Sequence, residues 1–157
     1  KRTEAYVVYL EHPDVADGNR PGRIDSTVLK ACTDEVLTGM AAVALLGSVD
    51  EVHVLTSLTG FEALLRGIPV VTYGRPFYAG WGLTEDALAF PRRTSGLSLE
   101  GLVAGTLILY STYWDWFSGQ FCRPEDVCER ILACEQPAVP WWVRGVRTAE
   151  KLWRAMK

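Results

Sequence analysis

The strongest constraint on the fold is one block, Glu51 to Tyr73, in which four structural signals follow one another without a spacer. Glu51-Val-His-Val-Leu55 reads as a strand, and Thr56-Ser-Leu-Thr-Gly60 as a turn into a helix. Phe61–Arg66 continues as that helix, Gly67 sits at the usual C-terminal glycine position, and Pro69-Val-Val-Thr-Tyr73 reads as the next strand. Strands joined through a helix run parallel, because the crossover returns the chain to the same end of the sheet. Upstream, Ala5-Tyr-Val-Val-Tyr-Leu10 is a β-branched and aromatic run, expected as a strand buried on both faces. Met40–Leu46 is expected as a short apolar helix. Strand, helix, strand, helix, strand predicts an α/β fold: a Rossmann-like parallel sheet with covering helices.

The remaining chain adds punctuation. Pro13 turns the first strand into a loop at Glu11-His12-Pro13-Asp14, and Asp17–Arg23 is rich in turn residues. Residues 26–38 read as a short helix or strand with turns. Gly74–Thr84 is a glycine-, proline- and aromatic-rich loop. Ser98 is expected to cap a helix over Leu99–Tyr110, and Pro124 to open one over Glu125–Glu135. Pro137–Pro140 reads as a linker, with a last helix from about Val143. The expected organisation is one domain over 1–136 and a linker with a basic amphipathic helix over 137–157.

With 157 residues the chain fits one domain. Its 16 Lys+Arg and 19 Asp+Glu nearly cancel, so the charge footprint of a nucleic-acid binder is absent. No uncharged apolar run reaches the roughly 20 residues of a membrane-spanning helix. A start without Met or signal-peptide pattern predicts a piece cut from a longer protein. Cys122, Cys128 and Cys134 are spaced by six, unlike any zinc motif, and with Cys32 they are expected as reduced, mostly buried thiols of a cytoplasmic protein. Only His12 and His53 are present, which argues against a metal site built on histidines.

In a parallel sheet, ligands sit at the carboxyl ends of the strands. Three unusual segments fall there: His12-Pro13, Thr56–Glu62 and Gly74–Thr84. Thr56, Ser57 and Gly60 offer hydroxyls and free helix N–H groups, which suit a phosphate; taken alone, the segment is explained more simply by ordinary capping by Ser57 or Thr59. Glu62, expected in the first helical turn, is either an acceptor for ribose hydroxyls or a carboxylate favoured by the helix dipole. His12 is a phosphate donor, an acid assisting a leaving group, or a packed surface residue. Tyr78 and Trp81 either line a sugar or nucleotide cleft or belong to a lid on the core. Arg92-Arg93 is either an anion site or, more in keeping with its composition, a solvated pair.

Together these stretches resemble the capsule polysaccharide synthesis glycosyltransferases of the KpsC/LipB type, retaining β-Kdo transferases. The resemblance rests on His12-Pro-Asp-Val, Gly18-Asn-Arg, Val49-Asp-Glu-Val-His53, and Thr56-Ser-Leu-Thr-Gly-Phe-Glu-Ala-Leu-Leu-Arg-Gly67. It extends through Val70-Val-Thr-Tyr-Gly74, Pro76-Phe-Tyr-Ala-Gly-Trp-Gly-Leu-Thr84, Pro91-Arg-Arg-Thr94 and Cys122-x-Pro-Glu-Asp126. It implies one half of a GT-B glycosyltransferase, the carboxyl-side domain that binds the nucleotide sugar. It further implies CMP-Kdo as donor, no cofactor, and a Kdo- or phosphatidylglycerol-linked acceptor in capsular polysaccharide synthesis and export. His12, Thr56 and Ser57 would hold the CMP phosphate and Glu62 the ribose, with the nucleophile in a missing N-terminal Rossmann domain. This chain alone would then bind donor without turning it over. The alternatives are a UDP-sugar transferase or epimerase domain, or a non-catalytic nucleotide-binding scaffold in capsule assembly.

On a helical wheel, Val146, Ala149, Leu152, Trp153 and Met156 share one side of the last helix, and Arg144, Arg147, Lys151 and Arg154 the other. Such a helix suits either docking on the missing domain or the inner face of the cytoplasmic membrane.

Overall fold

The computed structural model describes residues 4–133. The chain divides into two compact units, residues 1–99 and 100–157. The division falls inside the stretch expected as one domain; the expected boundary at 136/137 and the C-terminal helix lie outside the described residues.

The first unit has the expected α/β character, with parallel strands and covering helices. Strand β1 (Val8–Leu10) is followed by α1 (Pro13–Ala16), α2 (Ser26–Cys32) and β2 (Glu35–Leu37). β1 and β2 are parallel, with Tyr9 opposite Val36. A second parallel ladder has the order β3-β4-β5. It comprises β3 (Val52–Val54), β4 (Val70–Thr72) and β5 (Glu85–Asp86), with α3 (Leu58–Leu64) crossing between β3 and β4. His53 stands opposite Val71, and Thr72 opposite Asp86. The step from β4 to β5 uses the aromatic loop in place of a helix.

Several expectations are corrected. β1 is half-buried and Tyr6 is 71% exposed, because β1 pairs with one neighbour here and a two-stranded ribbon cannot cover both of its faces. Met40–Leu46 forms only a 3-10 turn at Ala42–Ala44. Gly39, at φ +72°, holds the backbone out of the helical region just before this stretch, and Ala41 offers no side-chain cap, unlike the residues that open α2 and α3. Cys32 and Cys128 are exposed and Cys122 is half-buried. Helix α3 starts at Leu58, earlier than expected, because Ser57 is its cap.

The core lies under the second ladder. Val54, Phe61, Ala63, Leu64, Val70 and Val71 are buried, which is the apolar face of α3 meeting β3 and β4. Gly67, at φ +71°, ends α3 in the left-handed conformation that a side chain resists.

In the second unit, helix α4 (Leu99–Val103) passes into a π-helical segment, Ala104–Tyr110. The Thr106 hydroxyl donates to the Leu102 carbonyl at 2.7 Å, and the Ser111 hydroxyl to the Thr106 carbonyl at 2.8 Å. Both hydroxyls thus bond back to carbonyls of the same turns at the place where the helix widens. An antiparallel hairpin, β6 (Tyr113–Asp115) and β7 (Gln120–Cys122), precedes α5 (Pro124–Leu132). Asp126 caps α5 by accepting the Arg123 N–H at 2.9 Å. Among the described residues, no helix is long and apolar enough to cross a membrane.

Candidate functional site

All three segments singled out in the sequence leave carboxyl ends of parallel strands. His12 follows β1, Thr56 and Ser57 follow β3, and Gly74–Thr84 follows β4. His12 leaves the β1-β2 ladder and the other two segments the β3-β4-β5 ladder, in each case at the carboxyl end, where parallel sheets form ligand sites.

The turn after β3 is the most tightly built part. Ser57 caps α3, its hydroxyl oxygen accepting the Thr59 N–H at 3.2 Å. It also donates to the Thr59 hydroxyl at 3.0 Å. Ser57 and Thr56 remain exposed. Gly74, after β4, packs so closely on the Leu55–Thr56 corner that a Cβ would come within 2.8 Å of Thr56 Cγ2. The two strand ends are therefore pinned backbone to backbone. Glu62 is the fifth residue of α3, half-buried in the second turn, because the helix begins at Leu58. The dipole argument offered for it weakens there.

Tyr78 is 0% exposed. Its hydroxyl donates to the Ser57 carbonyl at 2.5 Å, and its ring lies against Gly60. Phe77 meets it edge-on at 5.2 Å, and Phe61 lies near both rings. Burial raises the Tyr78 phenol to about 12, so it remains a donor well into the alkaline range. The structure thus places Tyr78 beneath the turn, joined to Ser57 and Gly60, in keeping with the loop-on-core alternative that the sequence left open beside a cleft lining.

Trp81 is half-buried within the same loop, and its indole N–H donates to the Phe77 carbonyl at 2.8 Å. Arg93 lies 5.0 Å from the Trp81 ring and 4.9 Å from that of Phe90. Its guanidinium donates to the Pro76 carbonyl at 3.0 Å and also to that of Ala79. Arg93 therefore clamps the loop, which corrects the expectation of a solvated arginine pair. Sequence reasoning also missed Asp86. Its carboxylate accepts the Gly80 N–H at 2.8 Å and the hydroxyls of Thr72 and Thr84, each at 2.7 Å. Asp86 itself, two residues after Thr84 at the end of a glycine-rich loop, was the available signal, since Asp side chains accept nearby donors at turns.

His12 stands at the end of the other ladder. It caps α1, with Nδ1 accepting the Asp14 N–H at 3.1 Å, and its side chain is about half exposed. That bond fixes Nδ1 as the acceptor, so the neutral ring carries its proton on Nε2. The second histidine, His53, bridges Tyr73 Oη at 2.9 Å and Glu51 at 2.5 Å.

Comparison with known proteins places this architecture. Two solved structures from Thermosulfurimonas dismutans share it. The KpsC β-Kdo 2,7 transferase is 41% identical with a TM-score of 0.75, over 86% of this chain and 43% of that one. The KpsC β-Kdo 2,4 transferase is 29% identical with a TM-score of 0.67, over 80% and 39%. The capsule polysaccharide modification protein LipA of Neisseria meningitidis serogroup A is 50% identical over 113 residues, 72% of this chain and 16% of LipA. The lipopolysaccharide-processing protein LpsZ of Rhizobium meliloti is 47% identical over 139 residues, 87% of this chain and 31% of LpsZ. The chain thus spans less than a third of these curated relatives. Residues 2–120 match the family described as capsule polysaccharide biosynthesis protein, and on that match, supported by the KpsC likeness, the chain belongs to the KpsC/LipB-type capsule glycosyltransferase family.

Proposed function

We propose that this chain is the donor-binding half of a Kdo transferase that uses CMP-Kdo and a Kdo- or phosphatidylglycerol-linked acceptor. The observation that carries the reading is the 41% identity and TM-score of 0.75 to the KpsC β-Kdo 2,7 transferase, over 86% of this chain. That chain is more than twice as long as the matched part, which agrees with the nucleophile lying on a second domain. In this reading, His12, Thr56 and Ser57 take the donor phosphate, and Glu62 takes the ribose hydroxyls. Gly60 keeps the turn close to the ligand, and Trp81 borders it. Tyr78 acts from beneath by holding Ser57. The protein works at the inner face of the cytoplasmic membrane, where a lipid-linked acceptor is found.

A single phosphate suits one strand-end turn assisted by one histidine. Calorimetry on this chain with CMP, UDP and GMP tests the reading. Tighter binding of CMP is expected; equal or tighter binding of UDP would overturn it in favour of a UDP-sugar enzyme.

A further inference from the structure

One residue before His12 lies a buried carboxylate. Glu11 extends the β1 ladder, its N–H donating to the Leu37 carbonyl at 2.9 Å, and it is only 7% exposed. Glu11 Oε1 lies 3.8 Å from Nε of Arg23, whose side chain is 71% exposed. Arg23 Nη2 also donates to the Ala16 carbonyl at 3.5 Å. Arg23 therefore folds back from the Asp17–Arg23 turn onto α1, the helix that His12 caps. That helix has four residues, or about 6 Å of rise, well within the span of an arginine side chain.

An unpaired carboxylate stripped of water would repel a phosphate placed at its neighbour His12. Arg23 removes that repulsion. Guanidinium carries five N–H donors; the bond to the Ala16 carbonyl engages one, and the 3.8 Å approach to Glu11 pairs charges without a hydrogen bond. The side chain is 71% exposed, and an accessible guanidinium can present two parallel N–H groups to a phosphate. We propose that Arg23 is a second donor to the phosphate of the nucleotide sugar, beside His12, and that Glu11 is the positioning residue that holds it there. The proposal rests on the donor-site reading above.

The test is calorimetry on the full chain with CMP and with cytidine, which share everything but the phosphate. Arg23→Gln should weaken CMP by about tenfold or more and leave cytidine unchanged, the usual scale for a hydrogen bond to a charged group. Arg23→Lys should restore only part of the loss, since an ammonium lacks the fork. Glu11→Gln alone should weaken CMP, because Arg23 is no longer held, and should add no further loss to Arg23→Gln; unchanged CMP affinity in Glu11→Gln overturns the role of Glu11. Unchanged CMP affinity in Arg23→Gln, or an equal loss for cytidine, overturns the proposal while the donor-site reading stands. If the unaltered chain binds neither compound, the reading falls and the proposal with it.

Discussion

The Tyr78 hydroxyl holds the Ser57 carbonyl at 2.5 Å, and the same ring closes over Gly60, three residues further along α3. An alanine Cβ at Gly60 would lie 2.8 Å from Tyr78 Cζ and nearer still to its hydroxyl. Gly60 has an ordinary helical backbone, so alanine there gains helix propensity of roughly 1 kcal/mol. The clash should outweigh that gain. Gly60→Ala is expected to destabilise the fold by roughly 1–3 kcal/mol, the usual cost of overpacking. Tyr78→Phe removes the nearest atom, so the two changes together should cost less than their sum. Urea unfolding of both single variants and the double variant reads this coupling. Simple additivity would mean that some other contact excludes a side chain at Gly60.

Burial raises the Tyr78 phenol to about 12, above the ordinary value near 10. The folded state therefore retains a proton that the unfolded chain gives up. The stabilisation tied to this is complete below pH 10 and is lost as pH climbs from 10 towards 12. Stability measured across that window should fall in the unaltered chain and fall less steeply in Tyr78→Phe. Identical alkaline limbs would assign the loss to other groups.

Much of the second ladder was legible because its signals agree: β-branched runs, a serine cap and a terminal glycine at Gly67 point to one β-α-β unit. The rest was hidden for physical reasons. β5 is only Glu85–Asp86, and Asp86 pairs there because its carboxylate collects three donors, which no propensity records. β2 follows α2 so closely that neither period develops over residues 26–38. The hairpin of β6 and β7 has three-residue strands whose Trp114 and Phe121 stack edge-on across it, a pairing visible only once the register is known. At the site, the positions of His12, Thr56 and Ser57 at strand ends could be read from the sequence. Which aromatic lies under the turn could not, since Phe77, Tyr78 and Trp81 all carry large rings that burial favours, and the backbone path of the loop decides which of them reaches the turn.

Arg93 and Asp86 hold the aromatic loop through its backbone, one on carbonyls and the other on the Gly80 N–H. Arg93→Gln should loosen residues 74–84 without unfolding β3 and β4. Hydrogen exchange should therefore accelerate in that loop, while the amides of Val71 and Thr72 stay protected. Asp86→Asn puts an N–H donor where one of three donors now points, and should cost roughly 1–3 kcal/mol. Unchanged exchange in Arg93→Gln would show that ring packing alone orders the loop.

In the second unit, Asp115 is buried and accepts the Phe117 N–H at 3.0 Å and Arg130 Nη2 at 2.9 Å. Hydrogen bonds from Ser118 first, then from the Phe117 N–H, hold its carboxyl below the usual carboxylate range, with the Arg130 charge adding to them. A lowered folded value means that this stabilisation is present above the unfolded value near 3.9 and is lost as pH falls through the folded one. Asp115→Asn should lower the melting temperature at neutral pH, and the gap to the unaltered chain should narrow on acidification below pH 4. A constant gap across that range would show that the amide fails for reasons of shape and not of charge.

The last prediction separates capping from ligand contact at His12 and Glu62. His12 Nδ1 already serves as the cap of α1, so an alanine there would lose both the cap and any contact with the donor. Asparagine caps helices well and can still accept the Asp14 N–H, but it lacks the outward Nε2–H. His12→Asn should therefore leave the melting temperature nearly unchanged while weakening CMP by roughly 1–3 kcal/mol. Glu62→Gln keeps the size and half-buried position of the side chain but removes the charge that, in the proposed reading, would accept ribose hydroxyls, so a loss of similar size is expected. The loss at Glu62 should appear with cytidine as well as with CMP, because the ribose is common to both; the loss at His12 should appear with CMP alone. Calorimetry with the two compounds, beside thermal melts without ligand, gives both readouts. Lower melting temperatures with unchanged affinities would return both residues to purely structural roles.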